Sequence, residues 1–116
     1  MLTIRSHHIE SFSAEAEQRD VDRLSRSLSE TYPDIAQSTD MQAAVRDAAA
    51  TARRHGLVSE ADVQTFVVYR IVLRVRVEGT EEFRAVILDP AVDPNRRMLA
   101  LVQRTNAAYW RRLRSD

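Results

Sequence analysis

The chain contains no cysteine, only two glycines and only three prolines among 116 residues. Without cysteine it has neither a disulfide framework nor a thiolate metal site. So few glycines and prolines leave little material for a turn-rich β architecture and favour helices. The longest apolar run, from Phe66 to Leu73, is interrupted by Arg70 and is too short to span a membrane.

The first residues also lack the apolar core of a signal peptide. Arg5, His7, His8 and Glu10 fall where that core would have to lie. We therefore expect a cytoplasmic protein with no membrane association. The length predicts a single helical domain, residues 1–116, with one hydrophobic core.

Lysine is absent as well, so all seventeen basic residues are arginines, and seventeen acids balance them. A net charge near zero gives little attraction for phosphate backbones, which argues against a polyanion binder. The planar arginine fork pairs with carboxylates and stacks on aromatic rings, which suits contact with proteins. An arginine-preferring codon usage would give the same composition.

A long first helix is predicted after a short extended arm, Met1 to Arg5. Apolar residues recur at helical spacings along it, which indicates one buried stripe: Ile9, Phe12, Ala16, Leu24, Leu28 and Tyr32, with Val21 beside them. Pro33 is expected to end this helix, because a residue before proline is pushed out of the helical region.

The second predicted helix has signals at both ends. Thr39 and Gln42 have the spacing of a capping box. Gly56 follows Arg53 and Arg54, as expected for a glycine stop with cations in the last turn.

The segment after Ser59 gives conflicting signals. Ser59 to Asp62 resembles another capped helix start, and Val63 to Val77 is apolar nearly all round, as in a buried helix. The region 72–88 also fits a β-hairpin, because β-branched residues alternate with arginines before Glu78-Gly79-Thr80. We predict helix through about Val72 and a short helix from Glu81 to Leu88, with the hairpin as the alternative.

The last helix is predicted to begin with Asp93 as N-cap and Pro94 at the first helical position. Its apolar stripe comprises Met98, Leu101, Val102, Thr105, Tyr109 and Leu113. The elements together predict an all-α fold, a compact bundle of four to five helices.

Residues for catalysis or metal binding are not arranged in any recognised pattern. His7, His8 and His55 do not have metal-ligand spacing. No serine elbow is present, and glycines at 56 and 79 alone cannot form a phosphate loop. We expect no enzymatic activity, no cofactor and no metal.

The C-terminal helix carries the first candidates for partner binding: Arg104, Trp110, Arg111 and Arg112. A tryptophan beside the apolar stripe with arginines nearby is typical of an interface anchor, although Trp110 would equally well close the edge of the core. Arginines interleaved with aromatics also suit nucleic acid, so a small nucleic-acid-binding regulator is the alternative function.

Arg70 and Arg74 are further partner-binding candidates, one helical turn apart on the most apolar segment. A buried charge needs a partner. We favour internal pairing with acids such as Asp62 or Glu81, and contact with an acidic protein partner is the alternative.

Short motifs extend along almost the whole chain in a distinctive order: Leu2-Thr3-Ile4-Arg5, Tyr32-Pro33, Arg53-Arg54-His55-Gly56-Leu57, Ser59-Glu60-Ala61-Asp62-Val63, Leu88-Asp89-Pro90 and Pro94-Asn95-Arg96-Arg97-Met98. The order resembles small helical proteins encoded beside the spike, tip and toxic-effector genes of bacterial type VI secretion systems. One departure is the stretch Arg74 to Glu82, where the resemblance implies a more acidic loop.

The resemblance implies a protein-binding role and no catalytic residues. The expected partner is a secretion effector or a spike protein. The chain would act either as an adaptor or chaperone that helps to load an effector, or as an immunity protein that blocks one. The lack of strong net charge favours the adaptor, because inhibitors of nucleases often carry a marked acidic face.

Overall fold

The computed structural model describes the backbone of residues 2–113 and the side chains of residues 16–113. These residues form seven α-helices and one 3-10 turn, and none of them forms a β-strand. The all-α prediction is confirmed, but the predicted count of four to five helices is too low. The chain divides between Ala43 and Ala44 into two compact units.

The first unit contains two helices that contact each other, α1 (Leu2–Thr31) and α2 (Pro33–Ser38). The extended arm predicted for Met1 to Arg5 is wrong from Leu2 onward, because the backbone there is already helical. Val21 and Leu28 of the predicted stripe are buried. The side chains of Ile9 and Phe12 lie outside the described residues.

Proline separates the two helices as expected. Tyr32 leaves the helical region, with φ −126° and ψ 68°, and Pro33 then occupies the first turn of α2. This agrees with the steric restriction that a proline places on the residue before it, while proline itself is tolerated at a helix start.

The third helix, α3 (Met41–Arg54), has a different N-cap from the predicted one. Asp40 Oδ1 accepts a hydrogen bond from the Ala43 backbone N–H at 3.2 Å, whereas Thr39 ends α2. The predicted glycine stop is confirmed: Gly56 has φ +100°, and the Leu57 N–H returns to the Ala52 carbonyl at 3.1 Å. That geometry satisfies the last carbonyls of the helix.

The fourth helix, α4 (Glu60–Val72), is the central helix of the second unit, with Phe66 and Val67 fully buried. Ser59 caps it as predicted, because the Ser59 hydroxyl accepts the Asp62 N–H at 3.1 Å. The helix ends at Val72, also as predicted.

The hairpin alternative for residues 72–88 is wrong. A 3-10 turn (Val77–Gly79) is followed by α5 (Glu81–Leu88), which Thr80 caps by accepting the Phe83 N–H at 3.2 Å. Val75 and Val77 are buried and the arginines between and before them are exposed. The alternation of valines and arginines therefore arises because one side of an irregular segment is buried. The segment has no second strand to pair with, because the residues that would form that strand belong to the capped helix α5.

The predicted last helix is two helices, α6 (Arg97–Arg104) and α7 (Ala107–Leu113). Asp93 does not cap α6. Its carboxylate accepts the Asn95 N–H at 2.9 Å and so closes a turn before the helix. Asn106 interrupts the helical run and caps α7, where its side-chain oxygen accepts the Tyr109 N–H at 2.8 Å.

The N-cap of α6 comes from α4. Asp62 is 3% exposed, and its two carboxylate oxygens accept the backbone N–H groups of Arg97 at 2.9 Å and Met98 at 3.0 Å. The Arg97 guanidinium donates in turn to the Gly56 carbonyl, and the Ser59 hydroxyl donates to the Asn95 carbonyl at 2.9 Å. These bonds fix the start of α6 against the start of α4.

The core of the second unit is built around aromatic contacts between α4 and α5. The Phe66 and Phe83 rings lie 6.0 Å apart, and His55 packs edge-on against Phe83 at 6.5 Å. Helix α6 contacts both α4 and α5, and it contributes the buried Met98 and Leu101. The 3-10 turn also contacts α4 and α5.

A candidate protein-binding groove

An open groove lies in the second unit where the C-terminal end of α4 meets α6 and α7. Its volume is about 520 Å³. Most of its lining is apolar or aromatic, and the lining comprises Tyr69, Leu73, Val102, Thr105, Asn106, Ala107, Trp110 and Arg111. We call it the α4–α6–α7 groove. Small, largely apolar concavities of this kind suit one or two side chains of a ligand.

Trp110 forms a rigid wall of the groove. Its ring meets Tyr69 edge-on at 5.2 Å and Tyr109 edge-on at 5.0 Å, the geometry that aromatic pairs prefer. Its indole N–H donates to the Thr105 hydroxyl at 2.9 Å. With 4% exposure Trp110 belongs to the core. It therefore closes the edge of the core, the alternative expected for it, and does not protrude as an anchor.

Two accessible side chains complete the groove. Val102 is 36% exposed, although it was expected in the buried stripe of its helix. Arg111 is exposed, and its Nε contacts the Ala107 carbonyl at 3.5 Å. Burial raises the pKa of Tyr69, so its phenol remains neutral near pH 7. Arg111 is thus the one charged residue of the lining.

The other arginines predicted on the C-terminal helices lie apart from the groove lining. Arg104 donates to Asp89 at 2.8 Å, and this hydrogen bond is the main reason that the pKa of Asp89 is lowered. Arg112 is exposed but does not line the groove.

Arg70 pairs internally, as favoured, but with a different acid from those expected. Its guanidinium reaches both carboxylate oxygens of Glu78, at 2.6 and 3.1 Å. Asp62 is occupied by the start of α6, and Glu81 is exposed in the first turn of α5. The pair ties the irregular segment after α4 back onto that helix.

Arg74 lies in that irregular segment and is exposed. It has φ 56°, in the left-handed region that non-glycine residues rarely adopt. The left-handed turn redirects the chain directly after Leu73, the groove residue that follows the last residue of α4. Arg74 therefore shares neither the helix of Arg70 nor its ion pair.

Tyr109 anchors α7 to α5 on the other side of Trp110. Its hydroxyl donates to the Glu82 carboxylate. Burial, reinforced by this hydrogen bond, raises the pKa of Tyr109 to about 12. The contact holds α7, the helix that carries Trp110 and Arg111, against α5.

Comparison with known proteins gives no relative: no protein-family model, curated protein or solved structure matches the chain. Within residues 16–113, no three histidine, aspartate or glutamate side chains come together as ligands for a metal ion. Among the helices described, none is long and apolar enough to span a membrane.

Of the six residues predicted to bind a partner, the structure brings two together in the groove, Trp110 and Arg111. The prediction missed Tyr69, Leu73 and Val102. Tyr69 and Leu73 lie four residues apart and so share one face of α4. That spacing can be read from the sequence. However, α4 is apolar on nearly all faces, so the sequence does not indicate which face is accessible at the surface.

Proposed function

We propose that the chain is a non-enzymatic protein-binding module, an adaptor, chaperone or immunity-type partner of a secreted bacterial effector. The observation that carries the proposal is the α4–α6–α7 groove. It combines a rigid aromatic wall, an accessible aliphatic side chain and one arginine. Interface hot spots have this composition: a well-packed pocket that excludes water, with aromatic and arginine side chains contributing most.

The rigidity of the groove supports binding. Trp110 is held by two ring contacts and one hydrogen bond, and Tyr109 is held by Glu82. A side chain already fixed in its bound position loses little conformational entropy on association, a loss that otherwise costs about 0.5–1.5 kcal/mol for each ordered side chain.

The groove favours a protein over a nucleic acid as the partner. A base stacks on the open face of an aromatic ring. Trp110 lines the groove, but at 4% exposure too little of its ring is open for a base to stack on it. The net charge of zero also gives no general attraction to a phosphate backbone.

The experiment is affinity purification of the tagged chain from its native host, with the bound proteins identified by mass spectrometry. The test variant is Val102→Glu, which places a charge in the groove at an exposed position. The matched control is Val58→Glu, the same chemical change at a residue that is 66% exposed. Val58 precedes the N-terminal end of α4, roughly 15–20 Å along the helix axis from the groove.

We expect a specific protein to bind the wild-type chain and the Val58→Glu variant but not the Val102→Glu variant. Recovery that is equal for both variants would refute the groove as the binding site. Recovery of nucleic acid alone, released by moderate salt, would favour the regulator instead.

A second assay distinguishes the two proposed roles. An immunity protein protects cells that express the captured effector, and Val102→Glu should abolish protection. An adaptor gives no protection but increases the amount of effector that is exported. The neutral net charge of the chain favours the adaptor, because inhibitors of nucleases often carry a marked acidic face.

A further inference from the structure

The charge of the α4–α6–α7 groove is positive only. Arg111 is the only charged residue among its eight lining residues, and none of them is a carboxylate. Arg70 and Arg104 already hold carboxylates at 2.6 and 2.8 Å, and the exposed Arg74 and Arg112 do not line the groove. The only hydrogen bond that Arg111 makes to the described residues uses Nε and is long, at 3.5 Å.

Two other polar groups of the lining, the Thr105 hydroxyl and the Asn106 side-chain oxygen, are already engaged. The Thr105 hydroxyl donates to the Leu101 carbonyl at 2.7 Å and accepts the indole N–H of Trp110. The Asn106 side-chain oxygen accepts the Tyr109 N–H at 2.8 Å. The terminal nitrogens of Arg111 are therefore the only charged donors of the lining.

We infer that the groove recognises a segment of the partner protein in which a bulky apolar side chain stands next to an aspartate or glutamate. This inference rests on the proposed protein-binding function and specifies what the groove selects. The apolar side chain lies against Tyr69, Val102 and Trp110. The carboxylate pairs with the guanidinium of Arg111, whose planar donor geometry matches a carboxylate in two places.

A small probe tests the selection without the partner. Hydrocinnamate carries one phenyl ring and one carboxylate, and hydrocinnamyl alcohol has nearly the same shape without the charge. Trp110 is the only tryptophan of the chain. Its fluorescence and its indole N–H resonance therefore report occupancy of the groove from a known position.

We expect hydrocinnamate to shift both signals with a dissociation constant on the order of millimolar, as befits a ligand of this size. The alcohol should bind roughly three- to tenfold more weakly, the range expected for one solvent-accessible charged hydrogen bond. Raising the salt concentration should reduce the difference between the two probes.

Two matched variants test whether the carboxylate of the probe pairs with Arg111. Arg111→Gln should bind hydrocinnamate as weakly as the wild type binds the alcohol, whereas Arg112→Gln should behave as the wild type. Both positions are exposed on α7, so neither change should affect folding. Val102→Glu should abolish hydrocinnamate binding, because the new carboxylate repels the carboxylate of the probe.

Equal affinity for the acid and the alcohol, or no shift of either Trp110 signal by either probe, would overturn the inferred selection. So would equal effects of Arg111→Gln and Arg112→Gln. The proposed function is measured separately by the loss of the captured protein from Val102→Glu. A carboxylate preference that fails while that loss is seen would leave a protein-binding groove with a different specificity.

Discussion

Replacing Asp62 with alanine should destabilise the second unit more than replacing any acid that the local sequence marks as a helix cap. Asp62 is 3% exposed and accepts the first two backbone N–H groups of α6, at 2.9 and 3.0 Å. Alanine would leave both groups without their acceptor at the positive end of the helix dipole.

The size of the effect follows from these contacts. Loss of an N-cap costs about 1 kcal/mol, and an unsatisfied buried donor costs roughly 1–3 kcal/mol. Removing the carboxylate also removes the cost of desolvating it, which lowers the net loss. We therefore expect Asp62→Ala to reduce the free energy of unfolding by about 2–3 kcal/mol, a large share of a typical stability of about 5–15 kcal/mol.

The matched control is Asp93→Ala. Asp93 has the sequence signature of the N-cap, but its carboxylate closes an exposed turn through a 2.9 Å bond to the Asn95 N–H and makes a long, exposed ion pair with Arg96 at 4.0 Å. It should cost about 0.5 kcal/mol. Urea unfolding followed by Trp110 fluorescence and by circular dichroism measures both variants. A cost for Asp93→Ala that equals or exceeds that of Asp62→Ala would refute the assignment of the cap to α4.

Three further predictions concern the contacts around the groove. Tyr109 should ionise near pH 12, which ultraviolet titration of the wild type against Tyr109→Phe measures. Because the pKa of Tyr109 is higher in the folded than in the unfolded state, its contribution to the free energy of unfolding is complete below pH 10 and is lost between pH 10 and 12. Gly56→Ala should cost about 1–2 kcal/mol in thermal unfolding, because φ is +100° and the added Cβ would meet the Arg97 guanidinium at 3.4 Å. Glu78→Gln should cost about 1 kcal/mol, and a double-mutant cycle with Arg70→Gln should recover a coupling of similar size; additive effects would contradict the pairing.

Helix ends were predictable where the capping residue lies next to the helix it caps. Gly56 ends α3 and Ser59 begins α4 because each acts on backbone groups within a few residues. The same local reasoning failed for α6. Its cap, Asp62, lies 35 residues from Arg97 in sequence, and the fold alone brings the two together.

The β-hairpin alternative failed for a related reason. Alternation of Val75 and Val77 with exposed arginines correctly indicated which side chains are buried. It did not indicate whether a second strand exists, because that depends on the next segment. There Thr80 caps α5, so the backbone N–H groups that a strand would offer are used inside a helix.

The sequence indicated two residues of the groove, Trp110 and Arg111, but not the arrangement of helices that forms it. Trp110 and Arg111 stood out because an aromatic and arginines adjoin a short apolar stripe. Val102 did not, because its spacing from Met98 and Leu101 is that of a buried face. It is 36% exposed on α6, and the predicted helix breaks after Arg104 before α7 begins at Ala107. The break lies at Asn106, whose side-chain oxygen caps α7. The spacing of the apolar residues on either side of Asn106 gave no indication of it.

Binding of a protein in the α4–α6–α7 groove is best measured as the dissociation constant of the captured protein, purified and titrated against the wild type, Val102→Glu and Val58→Glu. We expect Val102→Glu to lose affinity by roughly tenfold or more, as for an interface position that acquires an unpaired charge, and Val58→Glu to bind as tightly as the wild type. Equal affinities for all three proteins would show that the partner does not bind in this groove.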